Sequence, residues 1–231
     1  MSAYVYLVRP GDQNDELRYS LRSLEANLPP GDVVIVGYCP TWVTGVLHIR
    51  GNRFGTHKQR NVYDNVLTAA RCDALPDQVV WMNDDFITLA PAVPAMAHRC
   101  TLAEHIDGLT TRSWWWRSLK ATDAWLRHQG HDDPLSFELH RPLPGDRRLM
   151  AEVLTRAASV QPANPPQWRT LYGNAAMAAG LDAGPREPDG KVYRADTPEP
   201  SGPWLSTTDA SFRVVRDRVA ALFPEPSRWE R

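Results

Sequence analysis

Apolar positions fall into continuous runs and helical stripes, and their order outlines the first part of the molecule. Tyr4 to Val8 is a β-rich run that ends in Arg9-Pro10-Gly11-Asp12, which predicts a buried strand entering a loop. Leu17, Leu21, Leu24 and Leu28 recur at helical spacing, so Asp15 to Leu28 is expected to be a helix with one buried leucine face, stopped by Pro29-Pro30. Asp32 to Gly37 is a second apolar strand, and Val46 to Ile49 a short third one. The polar segment Gly51 to Asn61 leads into a helix reaching about Cys72, and Gln78 to Met82 is a fourth strand ending abruptly in Asn83-Asp84-Asp85-Phe86. Strands apolar throughout, joined by a helix, predict parallel pairing in a sheet covered on both faces.

Beyond about residue 90 the pattern loosens into prolines and a tryptophan cluster at Trp114-Trp115-Trp116. Arg147 to Val160, Gln167 to Ala179 and Ala210 to Leu222 read as helices, and Trp204 to Thr207 as a short strand. The expected organisation is one domain over residues 1–231, with a regular half at 1–90 and a specificity half at 91–231.

Composition narrows the partners. The chain has 26 Lys and Arg against 27 Asp and Glu, a net charge of -1, so no global basic field is available to hold an anionic polymer and any anion must be met locally. No apolar run is long enough to span a membrane, and Arg9 and Asp12 interrupt what a signal peptide would continue. Cys39, Cys72 and Cys100 are odd in number and lack CxxC spacing, which argues against a disulfide framework or a thiolate zinc site. A cytoplasmic protein with each cysteine a small core residue is the expectation.

Candidate chemistry starts at Asp84-Asp85. Paired carboxylates at the carboxyl end of a parallel strand can hold a hard divalent cation that shares its shell with phosphate, and open α/β sheets bind ligands at that edge. The alternative is a turn in which the aspartates bond their own backbone. Trp114, Trp115 and Trp116 cannot all face one core, because successive residues diverge on any regular element. With Arg112, Arg117 and Lys120 nearby, they could stack a sugar face or a base beside a cation, or anchor a lid.

The order of these elements resembles the nucleotide-binding half of the GT-A glycosyltransferases, in which an Asp-x-Asp-type motif ends a central strand. Glu16-Leu17-Arg18-Tyr19-Ser20-Leu21-Arg22-Ser23-Leu24-Glu25-Ala26-Asn27-Leu28-Pro29 is similar to the first conserved block of Stealth-type sugar transferases, and Trp81-Met82-Asn83-Asp84-Asp85-Phe86 to their second. His140-Arg141-Pro142 and Ser206-Thr207-Thr208-Asp209 resemble later blocks of that family. The resemblance is carried mainly by the first 90 residues. It implies a GT-A-like, Rossmann-like α/β fold with a mostly parallel central sheet and helices on both faces, Mn²⁺ or Mg²⁺ as cofactor, and a nucleotide-sugar donor such as a UDP-sugar.

On that resemblance Asp85 is the metal ligand, Asp84 assists, and the donor lies near Val8, Arg9, Asn61 and Asn83, with Arg9 neutralising the diphosphate as its glycosidic bond breaks. Lys58 and Asn65 share the helix that borders the nucleoside, where an amide could bond the base and Lys58 a phosphate. Trp114, Trp115 and Arg117 are assigned to the acceptor. His140 is a candidate metal ligand or acceptor base, against a purely structural role. Asp209 is a candidate general base, against a helix N-cap. The expected function is metal-dependent glycosyl transfer to a hydroxyl of a glycan, a protein or a hydroxymethylated DNA base. The alternatives are a sugar-phosphate transferase and a non-catalytic nucleotide- or carbohydrate-binding module.

Overall fold

The computed structural model describes residues 2–51, 58–160, 164–194, 196–197, 200 and 202–231. The polar segment 52–57, expected to lead into the second helix, lies outside them. The central sheet has the order β3-β2-β1-β4-β8. Its strands are β1 (Ser2–Val8), β2 (Gly31–Gly37), β3 (Leu47–Arg50), β4 (Gln78–Asn83) and β8 (Leu143–Asp146), and all neighbours are parallel except β4 and β8.

Alternation along β1 explains why both faces are covered. Val5 and Leu7 point to one side and pack with Val34, Val36 and Trp81 under α2 (Lys58–Ala70), α5 (Arg147–Ala157) and α6 (Trp168–Ala178). Tyr4, Tyr6 and Val8 point to the other, where α1 (Asp15–Asn27) lays Leu17, Leu21 and Leu24 against Ile35 and Met82. Each of those leucines is almost wholly buried, which stabilises the packing by about 1.5–3 kcal/mol per side chain. The carboxyl ends of β1 and β2 come together closely at Gly37. Its φ is +104°, and a Cβ there would sit 2.5 Å from the Val8 carbonyl oxygen, so a side chain is excluded on both counts.

The residues after 90 contribute to this same body. β8 extends the central sheet, while α5 and α6 complete the core over β4. A three-stranded sheet of β5 (Phe86–Thr88), β10 (Trp204–Thr207) and β9 (Lys191–Val192) packs under α7 (Asp209–Leu222), and β6 (Cys100–Thr101) pairs with β7 (Leu135–Ser136). Two further helices, α3 (Leu102–Asp107) and α4 (Trp114–His128), lie between them. Strands of two or three residues carry too little alternation to be seen in the sequence, which is why β5, β6, β7 and β9 had no counterpart in the hydropathy pattern. Cys100 is buried whereas Cys39 and Cys72 are half-buried, and all three thiols are free. Among the described residues no helix is long and apolar enough to cross a membrane.

Candidate functional site

The order β3-β2-β1-β4 reverses direction between β1 and β4, and at such a switch point the loops leaving the two strands diverge and open a crevice. Arg9 follows β1 there, and Asp84 and Asp85 form the turn between β4 and β5. Both carboxylates are buried. The Asn14 side chain caps α1 by accepting from the Leu17 N–H (3.0 Å), while its Nδ2 donates to Asp84 Oδ2 (2.8 Å). One residue therefore ties the start of α1 to the end of β4.

Arg9 joins four elements. Its backbone N–H donates to Asp84 Oδ2 (3.4 Å), its Nη2 meets Glu16 Oε2 at 2.5 Å, and its Nη1 pairs with Asp209. Glu16, in the first turn of α1, also accepts from Thr207 Oγ1 (2.7 Å). Asp85 has a separate partner. Its Oδ2 accepts from Lys191 Nζ (2.6 Å) and Ser206 Oγ (2.5 Å), and Lys191 also donates to the Thr207 carbonyl (2.6 Å). Behind Lys191, Asp189 receives the His140 backbone N–H (2.9 Å), bonds His140 Nδ1 (2.9 Å) and pairs with Arg99 (3.3 Å). Arg169 donates to Asn83 Oδ1 (3.1 Å) and lies over the rings of Phe86 and Trp168.

Burial and the neighbouring charge of Asp85 push the Asp84 carboxyl up to about 6, against the pull of Asn14 and Arg9. Burial also raises Glu16, opposed by the Thr207 hydroxyl and Arg9. Burial would do the same to Asp85, but Lys191 and then His140 hold it below the usual carboxylate range. The adjacent aspartates are thus driven apart, one toward the neutral acid and the other fixed as an anion. Asp189 is held down at about 2, because the His140 hydrogen bonds and charge outweigh its burial.

Among the described residues, the hydrogen bonds recorded for Asp84 and Asp85 use Oδ2 only. Two adjacent carboxylates are hard oxygen donors of the kind Mg²⁺ or Mn²⁺ takes, although Asp85 is already paired with Lys191. No group of three or more His, Cys, Asp or Glu suited to a metal ion occurs among the described residues, so water or ligand oxygens would have to complete a cation's shell here.

The expected site residues divide between two places. Val8, Arg9, Asn83, Asp84, Asp85 and Asp209 gather at the crevice, with His140 behind Lys191. Thr208, not Asp209, caps α7 by accepting from the Ser211 N–H, which leaves the Asp209 side chain exposed and paired with Arg9. Asn65 packs against Gly37 and Gly51 at the ends of β2 and β3, and Asn61 is half-buried one turn earlier on α2. Lys58 instead shares a pocket with Trp114 and Trp115, while Arg117 is exposed and donates to the Arg112 carbonyl. Sequence reasoning did not single out Asn14, Glu16, Lys191, Asp189 and Arg169, which the structure gathers around the candidate site. Only Glu16 carried a local signal, as a charged residue flanking a leucine stripe. Compared with family models and with curated proteins, the chain matches none of either.

Proposed function

We propose that the chain is a nucleotide-sugar-dependent glycosyltransferase of GT-A type whose donor diphosphate binds in the crevice between β1 and β4. The observation that carries this reading is the meeting of Arg9 and the Asp84–Asp85 pair beside the switch point of a mostly parallel sheet, the position at which open α/β sheets bind their ligands, with both signs of charge supplied there. Asp85, with Asp84 assisting, would hold Mg²⁺ or Mn²⁺ through its carboxylate. The cation would supply positive charge against the diphosphate.

The remaining work falls to the protein's own groups. Arg9 stabilises negative charge on the leaving diphosphate and is held in place by Glu16 and Asp209. Lys191 keeps Asp85 ionised and oriented. Asp209 is the exposed carboxylate at the crevice, free of capping duty, and can accept a proton from an incoming hydroxyl. His140 is held in place by Asp189 through its Nδ1 and its backbone N–H.

The test is calorimetric titration of UDP with and without Mn²⁺. Wild type should bind more tightly with the cation, and Asp85→Ala should lose that gain while keeping its fold. An unchanged Mn²⁺ enhancement in the variant would remove Asp85 as a ligand, and no UDP binding in either form would reject the donor assignment.

A further inference from the structure

A cavity lies on the side of the sheet covered by α2, α4 and α6. It has a volume of about 440 Å³, within the range of small-molecule sites. Trp114, Trp115, Trp168, Pro165 and Pro166 form its apolar walls, with Lys58 at its edge. Asp84, Asp85 and Arg9 do not line it. The crevice reading leaves it without a role.

The walls are held by packing and hydrogen bonds. Trp168 packs edge-on against Trp81 in β4 (6.0 Å between centroids), and Trp115 lies tilted against buried His105 (6.1 Å). Ser118 donates to the Pro165 carbonyl (2.6 Å), and Thr122 accepts from the Gln167 N–H (2.8 Å), so α4 fixes the proline wall. Trp114 is the most exposed of the wall residues: it stands edge-on to half-buried Trp115 at 5.6 Å and is 42% exposed. An exposed indole on a preformed apolar cavity offers a stacking face.

The polar lining decides the ligand class. A sugar presents many hydroxyls and needs several donors and acceptors. Here the lining side chains with polar groups are Lys58, Gln59, Gln167, Tyr63 and the indoles. Gln167 Nε2 already donates to Ser118, and the Tyr63 hydroxyl to the Leu154 carbonyl. Among the described lining residues none is acidic, and the charged one is a cation. A flat ring carrying an anion complements this surface: the ring stacks on indole and the anion meets an ammonium.

We propose that this pocket binds a nucleotide unit, with its base against Trp114 and Trp115 and its phosphate toward Lys58. The source is either a free mononucleotide or one nucleotide of a single strand. The inference is independent of the glycosyl-transfer reading.

Calorimetric titrations in EDTA with UMP, an oligothymidylate and maltose test it, on wild type, Trp114→Ala, Lys58→Ala and Asp85→Ala. UMP or the oligonucleotide should bind wild type and Asp85→Ala equally. Trp114→Ala should weaken binding about 10- to 100-fold, as expected for loss of one stacked base. Lys58→Ala should weaken it less and flatten its salt dependence. Tighter binding of the oligonucleotide than of UMP identifies a strand as the source, and equal or weaker binding a free nucleotide. Nucleotide binding lost in Asp85→Ala but kept in Trp114→Ala would assign it to the crevice and overturn the proposal. So would maltose binding without nucleotide binding, or no binding of any probe. Circular dichroism of each variant separates loss of ligand from loss of fold.

Discussion

Asp84 illustrates how a single residue can oppose the stability of the fold that positions it. It is buried beside Asp85, with Arg9 and Asn14 as favourable neighbours and Glu16 on the far side of Arg9. Its carboxyl is raised from 3.8 to about 6, so the folded state holds a proton that the unfolded chain has already released. The penalty is therefore absent below about pH 4, grows as pH rises to about 6, and is constant above that. Asp84→Asn keeps the shape and removes the buried charge, at the cost of its contacts with Arg9. It should gain about 1–2 kcal/mol at pH 8, a rise of a few degrees in Tm, and the gain should vanish near pH 4. Thermal melts of both proteins across that range check this, and a lower Tm for the variant at pH 8 would contradict it. If the proposed cation site is real, the same variant should also weaken Mn²⁺ binding, a trade of stability against function.

At the scale of elements, α1 carries two stripes with different tasks. The leucine stripe was legible from spacing and docks on the sheet. Beside it, Glu16, Ser20, Ser23 and Asn27 form a buried or half-buried polar stripe at the same helical spacing. Ser20 donates to the Phe86 carbonyl, Ser23 Oγ accepts from the Thr88 N–H (3.0 Å), and Asn27 donates to the Thr88 carbonyl (2.7 Å). Helix side chains thus take hydrogen bonds on the β5 edge that a neighbouring strand would otherwise supply. Since β5 begins directly after Asp85, this docking also fixes the acidic turn. Asn27→Leu strands a buried carbonyl and should destabilise by about 1–3 kcal/mol, lowering Tm by a few degrees. Thermal denaturation measures it, and a Tm unchanged within error would show that water replaces the amide.

At the scale of the whole molecule, the segment after α7 returns to α1 and clasps it. The Trp229 ring is buried in the α1 core, and Glu230 accepts from Arg22 Nε (2.8 Å), Arg18 Nη1 (2.6 Å) and the Ser227 N–H (2.9 Å). Those partners hold its carboxyl down at about 2 against the effect of burial, so the clasp contributes stability above the usual glutamate range and loses it as pH falls from about 4.5 toward 2. Glu230→Gln should therefore cost about 2 kcal/mol at pH 7, allowing for solvent around Arg18, and progressively less below pH 4. Urea titrations at pH 7 and pH 3 give the comparison; equal losses at both would mean that the arginines hold nothing through charge.

Local periodicity determined β1 to β4, the helices α1, α2, α5, α6 and α7, and the acidic pair at a strand end, because burial on one face imprints a spacing of two or about 3.6 on any element long enough to repeat it. It also sufficed for the parallel pairing of β1, β2 and β4, which are apolar on both faces, whereas β3 joins β2 in parallel although it is largely exposed. Tertiary structure alone decided the site. Arg9 meets partners 7, 75 and 200 positions away, and Lys191 reaches Asp85 across 106 positions. Those meetings depend on β10, whose bounds were legible, pairing with β5 and β9, which are too short to carry a periodic signal. The same holds for Lys58 and Trp114, assigned from sequence to different ligands and brought to one pocket by helices on a shared face. An ion pair or a pocket wall is specified by distance in space, and a residue's own neighbours in the chain do not encode it.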